Sequence, residues 1–168
     1  MKYVALILLF LCSCAKQEAA ITNVVYEKNK INSAYIKNMH GPEKAMLTWY
    51  LYAYGNECDK NSSKVKCQIL KELNIEDECN DNHLNNLLRW FSNDMLAVYK
   101  LNKCPNLTLK SAIQNTFERI VLIRNADTLS IEFSVKGLNT IQEKSWNVNQ
   151  TDVYIIKNRS FKKIVINE

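Results

Sequence analysis

Glycine and proline are almost missing from this chain, with three and two among 168 residues, and histidine occurs only twice. So little glycine leaves no phosphate-cradling loop, and neither a G-x-S-x-G elbow nor an H-E-x-x-H pair is present. Compact turns must then be made largely by Asn, Asp and Ser, whose short side chains bond their own backbone and tolerate left-handed conformations. Neither histidine has a partner at metal-ligand spacing. His40 precedes Gly41-Pro42 in a turn, and His83, close to Asp81 and Glu78, starts a helix as part of a polar cap. The densest acidic run, Glu76-Asp77-Glu78 with Asp81, lacks the alternating oxygen ligands and the bend glycine of a calcium loop. It reads either as a solvated loop or as a docking surface for a basic partner. No metal and no cofactor is therefore expected. Basic residues exceed acidic ones by 22 to 17, but they are spread along the chain instead of forming a stripe, which excludes nucleic acid as an expected partner.

What the sequence does have begins at its N-terminus. Lys2 supplies a positive start, Val4 to Leu11 form an almost unbroken apolar run, and Leu11-Cys12-Ser13-Cys14 closes it. The run is too short to span ~30 Å of hydrocarbon as a helix, so it reads as a secretory core and not a permanent membrane segment. This stretch resembles a bacterial lipoprotein signal. The resemblance implies that residues 1–13 are removed, that Cys14 is acylated, and that the protein is anchored through those acyl chains to the periplasmic side of a membrane. Lys16 stands where an aspartate would imply retention in the inner membrane, so the same resemblance points to the outer membrane. Residues 14–38 are then expected to be the lipidated N-terminus and tether, with Val24-Val25-Tyr26 and Ile31 apolar enough to pack on a single domain over 39–168.

Export fits the cysteine usage. Cys12 falls within the signal and Cys14 takes the lipid, which leaves Cys58, Cys67, Cys79 and Cys104. An even number in an oxidising compartment implies two disulfides, for which Cys58–Cys67 and Cys79–Cys104 are the pairings that staple neighbouring segments. A four-thiolate zinc site is the competing use, although no pair has the close spacing that structural zinc sites show.

The clearest helix runs from Pro42 to Tyr54, with Gly41 as its N-cap and Gly55 as its stop. Its apolar positions nearly encircle it, so it should be buried on most faces. Trp49, Tyr50, Tyr52 and Tyr54 read either as core or as the wall of a ligand site, and Tyr52 falls on the face expected to be least covered. A second short helix is expected around Ile69 to Ile75, and a third from His83 to about Phe91, capped by Asp81 or Asn82.

Beyond Asn115 the period changes to two. Leu129, Ile131, Phe133 and Val135 alternate with Ser130, Glu132 and Ser134, the pattern of a strand with one wet face. Phe117 to Arg124 precedes it, and Lys144 to Lys157 and Phe161 to Asn167 follow, with Lys157-Asn158-Arg159-Ser160 as a hairpin turn. The expected fold class is α+β: N-terminal helices packed on a curved C-terminal antiparallel sheet of about four strands. Helices followed by such a meander resemble the nuclear-transport-factor-2-like cone, in which a bent sheet wraps a long helix.

Two functions fit these features. One is a non-enzymatic module that sequesters a protein partner, in the manner of immunity or inhibitor proteins, with Glu76, Asp77, Glu78 and Asp81 as candidate contacts. The other is a small-molecule-binding or enzymatic cone with a pocket lined by Trp49, Tyr50, Tyr54, Phe133 and Trp146.

Overall fold

The first strand, Ile21–Glu27 (β1), leads into Lys28 and Asn29, and the chain returns as Lys30–Ile31 (β2). Both turn residues have positive φ, 50° and 62°, which matches the right-handed twist of the two strands it joins. Among the described residues five helices follow: α1 (Ser33–Lys37), α2 (Gly41–Tyr54), α3 (Val65–Glu72), α4 (Asp81–Trp90) and α5 (Met95–Asn102). The chain closes with β3 (Ile113–Asn125), β4 (Thr128–Asn139), β5 (Lys144–Lys157) and β6 (Ser160–Ile164). This computed structural model describes residues 19–55, 58, 64–75, 80–103 and 112–164.

The fold is α+β, and its sheet has six antiparallel strands in the order β2-β1-β3-β4-β5-β6, where about four were expected. The two additional strands come from the segment assigned to the tether. Val25 and Tyr26 are buried and Tyr26 pairs with Ile120, so residues from 21 onward belong to the sheet. A hairpin therefore precedes the helices, and β1 docks on the free edge of the meander. Two bulges adjust its register, at Val25 in β1 and at Glu118 in β3. Each lets one extra residue into its strand and sharpens the local twist.

Helix α2 forms the centre of the core. Every residue from Ala45 to Tyr52 is buried, as its nearly continuous apolar surface implies. His40 is its N-cap in place of Gly41, which is the first helical residue and takes φ +57°. Gly55 ends the helix with an extended backbone, so its role differs from that of a left-handed stop. A Cβ there would lie 2.4 Å from the Lys66 Cδ and 2.7 Å from the Leu51 carbonyl oxygen, so the lack of a side chain lets the buried stem of Lys66 cross the helix end.

Helix α4 is capped by Asn80, whose Oδ1 accepts from the Asn82 amide at 3.0 Å, one residue ahead of the expected cap. Helix α5, capped by Asp94 through the Ala97 amide at 3.0 Å, occupies a stretch given no element in the sequence reading. The turns also differ from expectation. Among the described residues positive φ falls on Asn29, Asn74 and Asn158, but equally on Lys28, Ala126, Glu143 and Arg159. Hairpin closure is thus achieved by pairing of the long strands around the turn as much as by turn-favouring residues.

Candidate functional site

Strand β5 carries Val148, Gln150, Asp152 and Tyr154 at alternate positions. Their partners on β4 are Val135, Phe133, Ile131 and Leu129, all of them core residues, so pairing fixes this set on the helix side of the sheet. A carboxylate is thereby carried into an apolar layer. Asp152 retains only 6% of its surface. Such a group costs several kcal/mol unless paired and hydrogen-bonded, as a rough guide.

Asp152 is well supplied with partners. Its Oδ2 accepts from the Tyr50 hydroxyl and from Gln150 Nε2 at 2.8 Å, and its Oδ1 meets Lys163 Nζ at 2.7 Å. The Tyr50 and Tyr154 hydroxyl oxygens lie 3.0 Å apart, which extends the network one step further. Burial alone would raise the Asp152 pKa. Hydrogen bonds from Lys163, Tyr50 and Gln150 outweigh it and hold the carboxyl below its ordinary value. Burial pushes the Tyr50 hydroxyl far above the usual tyrosine range, with Tyr154 and Asp152 adding to the effect. Tyr154 is raised chiefly by burial as well, as is Tyr54. The cluster is thus an ionised carboxylate facing protonated phenols. A carboxyl displaced downward is a weak proton acceptor and holds no proton to donate at neutral pH, so its chemistry here is that of a buried tie between α2, β5 and β6.

The aromatic residues expected to line a pocket are only partly brought together. Tyr50 and Tyr54 stack with centroids 5.7 Å apart, and both meet Phe133, at 5.1 and 4.6 Å. These rings fill the space between α2 and β4. Trp49 points elsewhere and packs on Phe91 at 5.5 Å. It is buried, and Phe91, its ring partner, belongs to the turn after α4. Trp146 lies farther along β5, 38% exposed and seated on Gly137. Tyr52, expected on the least covered face, is 3% exposed, because α3 crosses that side and brings Lys66 Nζ to 5.8 Å from its ring.

A depression of about 800 Å³ does open over the last strands, with Arg119, Glu132, Ser134, Asn149, Asp152 and Lys163 in its wall. Of the expected pocket residues it includes Phe133. Within it Arg119 bridges Glu27 at 2.9 Å and Glu132 at 2.7 Å, tying β1, β3 and β4 together. The bond to Glu132, ahead of that to Glu27, raises the guanidinium pKa still further.

Cys58 and Cys67 form a disulfide, with Cα atoms 5.5 Å apart. Asp81 is exposed in the first turn of α4. Cys14, Glu76, Asp77, Glu78, Cys79 and Cys104 lie outside the described residues. Among the described residues there is no cluster of three metal-ligating side chains, and no helix is long and apolar enough to cross a membrane. Sequence reasoning missed Asp152, Gln150 and Lys163. The signal for Gln150 and Asp152 was present in β5, where they fall in register with Val148 and Tyr154, an amide and a carboxylate in an otherwise apolar face. No family model, no curated protein and no solved structure matches this chain.

Proposed function

We propose that the protein is a lipoprotein held on the periplasmic side of a bacterial membrane, the outer membrane in particular, through acyl chains on Cys14. We further propose that its domain is a non-enzymatic binding module that sequesters a protein partner, as immunity and inhibitor proteins do. The observation that carries this reading is the filled interface between α2 and the sheet. Tyr50, Tyr54 and Phe133 occupy it ring against ring, and the one carboxylate there is fully engaged. A reacting group would need an unengaged acid or base, and the Asp152 carboxylate at that interface is held by Tyr50, Gln150 and Lys163. The N-terminal pattern from Lys2 to Cys14 supports the anchor.

One observation favours the alternative, a small-molecule site on a cone-like sheet. It is the depression over β4 to β6, whose wall holds charges of both signs from Arg119, Glu132, Asp152 and Lys163. Cross-linking in intact cells followed by affinity isolation separates the two readings. A stoichiometric protein partner is expected. A metabolite or lipid recovered in equal amount, with no protein, would contradict sequestration and assign the depression to a ligand.

A further inference from the structure

Helix α5 presents to solvent what a core helix hides. Met95 is 89% exposed, Leu96 62% and Tyr99 58%, while Ala97 and Leu101 face the core. With 3.6 residues per turn, Met95, Tyr99, Lys103, Leu96 and Lys100 fall within one arc of about 140°. The arc therefore combines three exposed apolar or aromatic side chains with two lysines, of which Lys100 reaches back to 5.7 Å from the Tyr54 ring and Lys103 stays on the arc. No acidic residue lies on α5, and the nearest, Asp94, is engaged as its N-cap. Lys103 Nζ sits 4.3 Å from the centre of the Tyr99 ring and donates to its hydroxyl, so apolar and cationic groups form one continuous surface. Apolar bodies ringed by cations are the composition of a face that lies in the boundary between lipid headgroups and acyl chains.

The position of α5 in the fold gives this composition a partner. Strand β1 begins at Ile21, which pairs with Arg124 next to the β3–β4 turn. That end of the sheet also contains the β5–β6 turn, where Lys157 pairs with Ser160. The turn leading into α5 is fastened there, since Asn93 Nδ2 donates to Ser160 Oγ at 2.7 Å and Ser92 Oγ lies 3.2 Å from the same oxygen. From β1 to β6 is four strand spacings, about 19 Å. The start of the fold and the N-terminal turn of α5, with Met95 and Leu96, therefore share one end of the molecule. Cys14 is seven residues before Ile21, and a chain of that length reaches about 25 Å at most. Arg124, Lys157 and Arg159 add positive charge to this end, against Asp127 alone in the two turns.

We infer that this end of the domain rests on an anionic phospholipid surface, with Met95, Leu96 and Tyr99 of α5 inserted at the headgroup level and the surrounding lysines and arginines on the phosphates. The inference builds on the lipoprotein reading and adds an orientation to it. The acyl chains hold the domain within reach, so even a weak face would be engaged at high effective concentration. The opposite end, with the β4–β5 turn, would then project away from the membrane toward a soluble partner.

Three methionines follow the signal, Met39 and Met46 in the core and Met95 on α5, which makes the test selective. The full acylated protein, labelled with ¹³C-methyl methionine, is placed in nanodiscs of phosphatidylethanolamine and phosphatidylglycerol doped with a headgroup-proximal nitroxide lipid. The Met95 methyl signal is expected to lose most of its intensity, and those of Met39 and Met46 far less. In the Leu96→Ser, Tyr99→Ser double variant, which changes only exposed side chains, the Met95 signal is expected to recover. An acylated, disc-bound chain whose Met95 signal matches that in undoped discs would overturn the inference and leave the anchor standing. A Met95 signal that ignores the nitroxide but shifts with protein concentration would overturn it in favour of a second copy. An unacylated chain that elutes apart from the discs would overturn both readings.

Discussion

Replacing Tyr50 by phenylalanine removes one oxygen from the best-connected point of the molecule and leaves its packing in place. The ring keeps its contacts with Tyr54 and Phe133, so the loss is confined to the hydroxyl that serves Asp152 and Tyr154. A hydrogen bond to a buried charged group contributes about 1.5–3 kcal/mol and a neutral one about 0.5–1.5 kcal/mol. Both acceptor and donor are shielded from water, so no large discount for solvent screening applies. The expected cost is about 2–4 kcal/mol, a substantial part of the ~5–15 kcal/mol that holds an ordinary domain. In urea, with a slope of ~1–3 kcal/mol per molar, the midpoint should fall by on the order of 1–2 M without a change in slope. The effect should also depend on pH with a defined sign. Asp152 has a folded pKa below its ordinary 3.8, so its stabilisation is present above that value and lost as pH falls through the lower, folded one. The gap between wild type and Tyr50→Phe should be constant from neutral pH down to about 4 and narrow below it. A gap under about 0.5 kcal/mol, or one that stays the same at acid pH, would refute the assignment of Asp152 as an ionised tie.

The remaining expectations are simpler. Trp49→Ala and Tyr52→Ala should each cost about 3–5 kcal/mol in thermal or urea unfolding, since both side chains are buried; a mild Tyr52→Ala would mean that α3 does not cover that face. Replacing Cys58 and Cys67 together by serine opens a loop with a sequence separation of nine and should cost about 2–3 kcal/mol, while equal stability of the wild type with and without reductant would exclude the bridge. Gly137→Ala puts a Cβ 2.1 Å from Trp146 Cε2, so the indole must swing outward. Its fluorescence should shift to the red at a cost of about 1–3 kcal/mol, and an unchanged spectrum would contradict the contact.

How much of this was legible in the sequence depends on which face a residue occupies. The α2 helix was readable from Pro42 at its start, Gly55 at its end and the apolar run between them, and the meander from β3 to β6 because its apolar residues repeat at 2.0, the period a single buried face imposes on a strand. Helix α5 was not readable, since Met95, Leu96 and Tyr99 point outward and blur the pattern that Ala97 and Leu101 set. The β1–β2 hairpin was hidden for a related reason. Its bulge places Val25 and Tyr26 both inward, which breaks the alternation at its most buried point. Tyr52 was misplaced because a helix apolar on every side gives no hint of where the thinnest cover lies. The Asp152 cluster depends on contacts 102 and 104 residues apart in the chain, from Tyr50 to Asp152 and to Tyr154. No local pattern encodes such a contact, although an aspartate in the inward register of an apolar strand signals that a partner must exist.

The most direct test is native mass spectrometry of the protein released intact from the bacterial envelope, which reads the covalent state of its N-terminus and its bound partner in one spectrum. The expected species is a chain beginning at Cys14, heavier by its acyl groups, in a one-to-one complex with a second protein that dissociates on activation. An unacylated chain found alone, or one carrying only a small molecule, would contradict the reading of this protein as a lipid-anchored binding module.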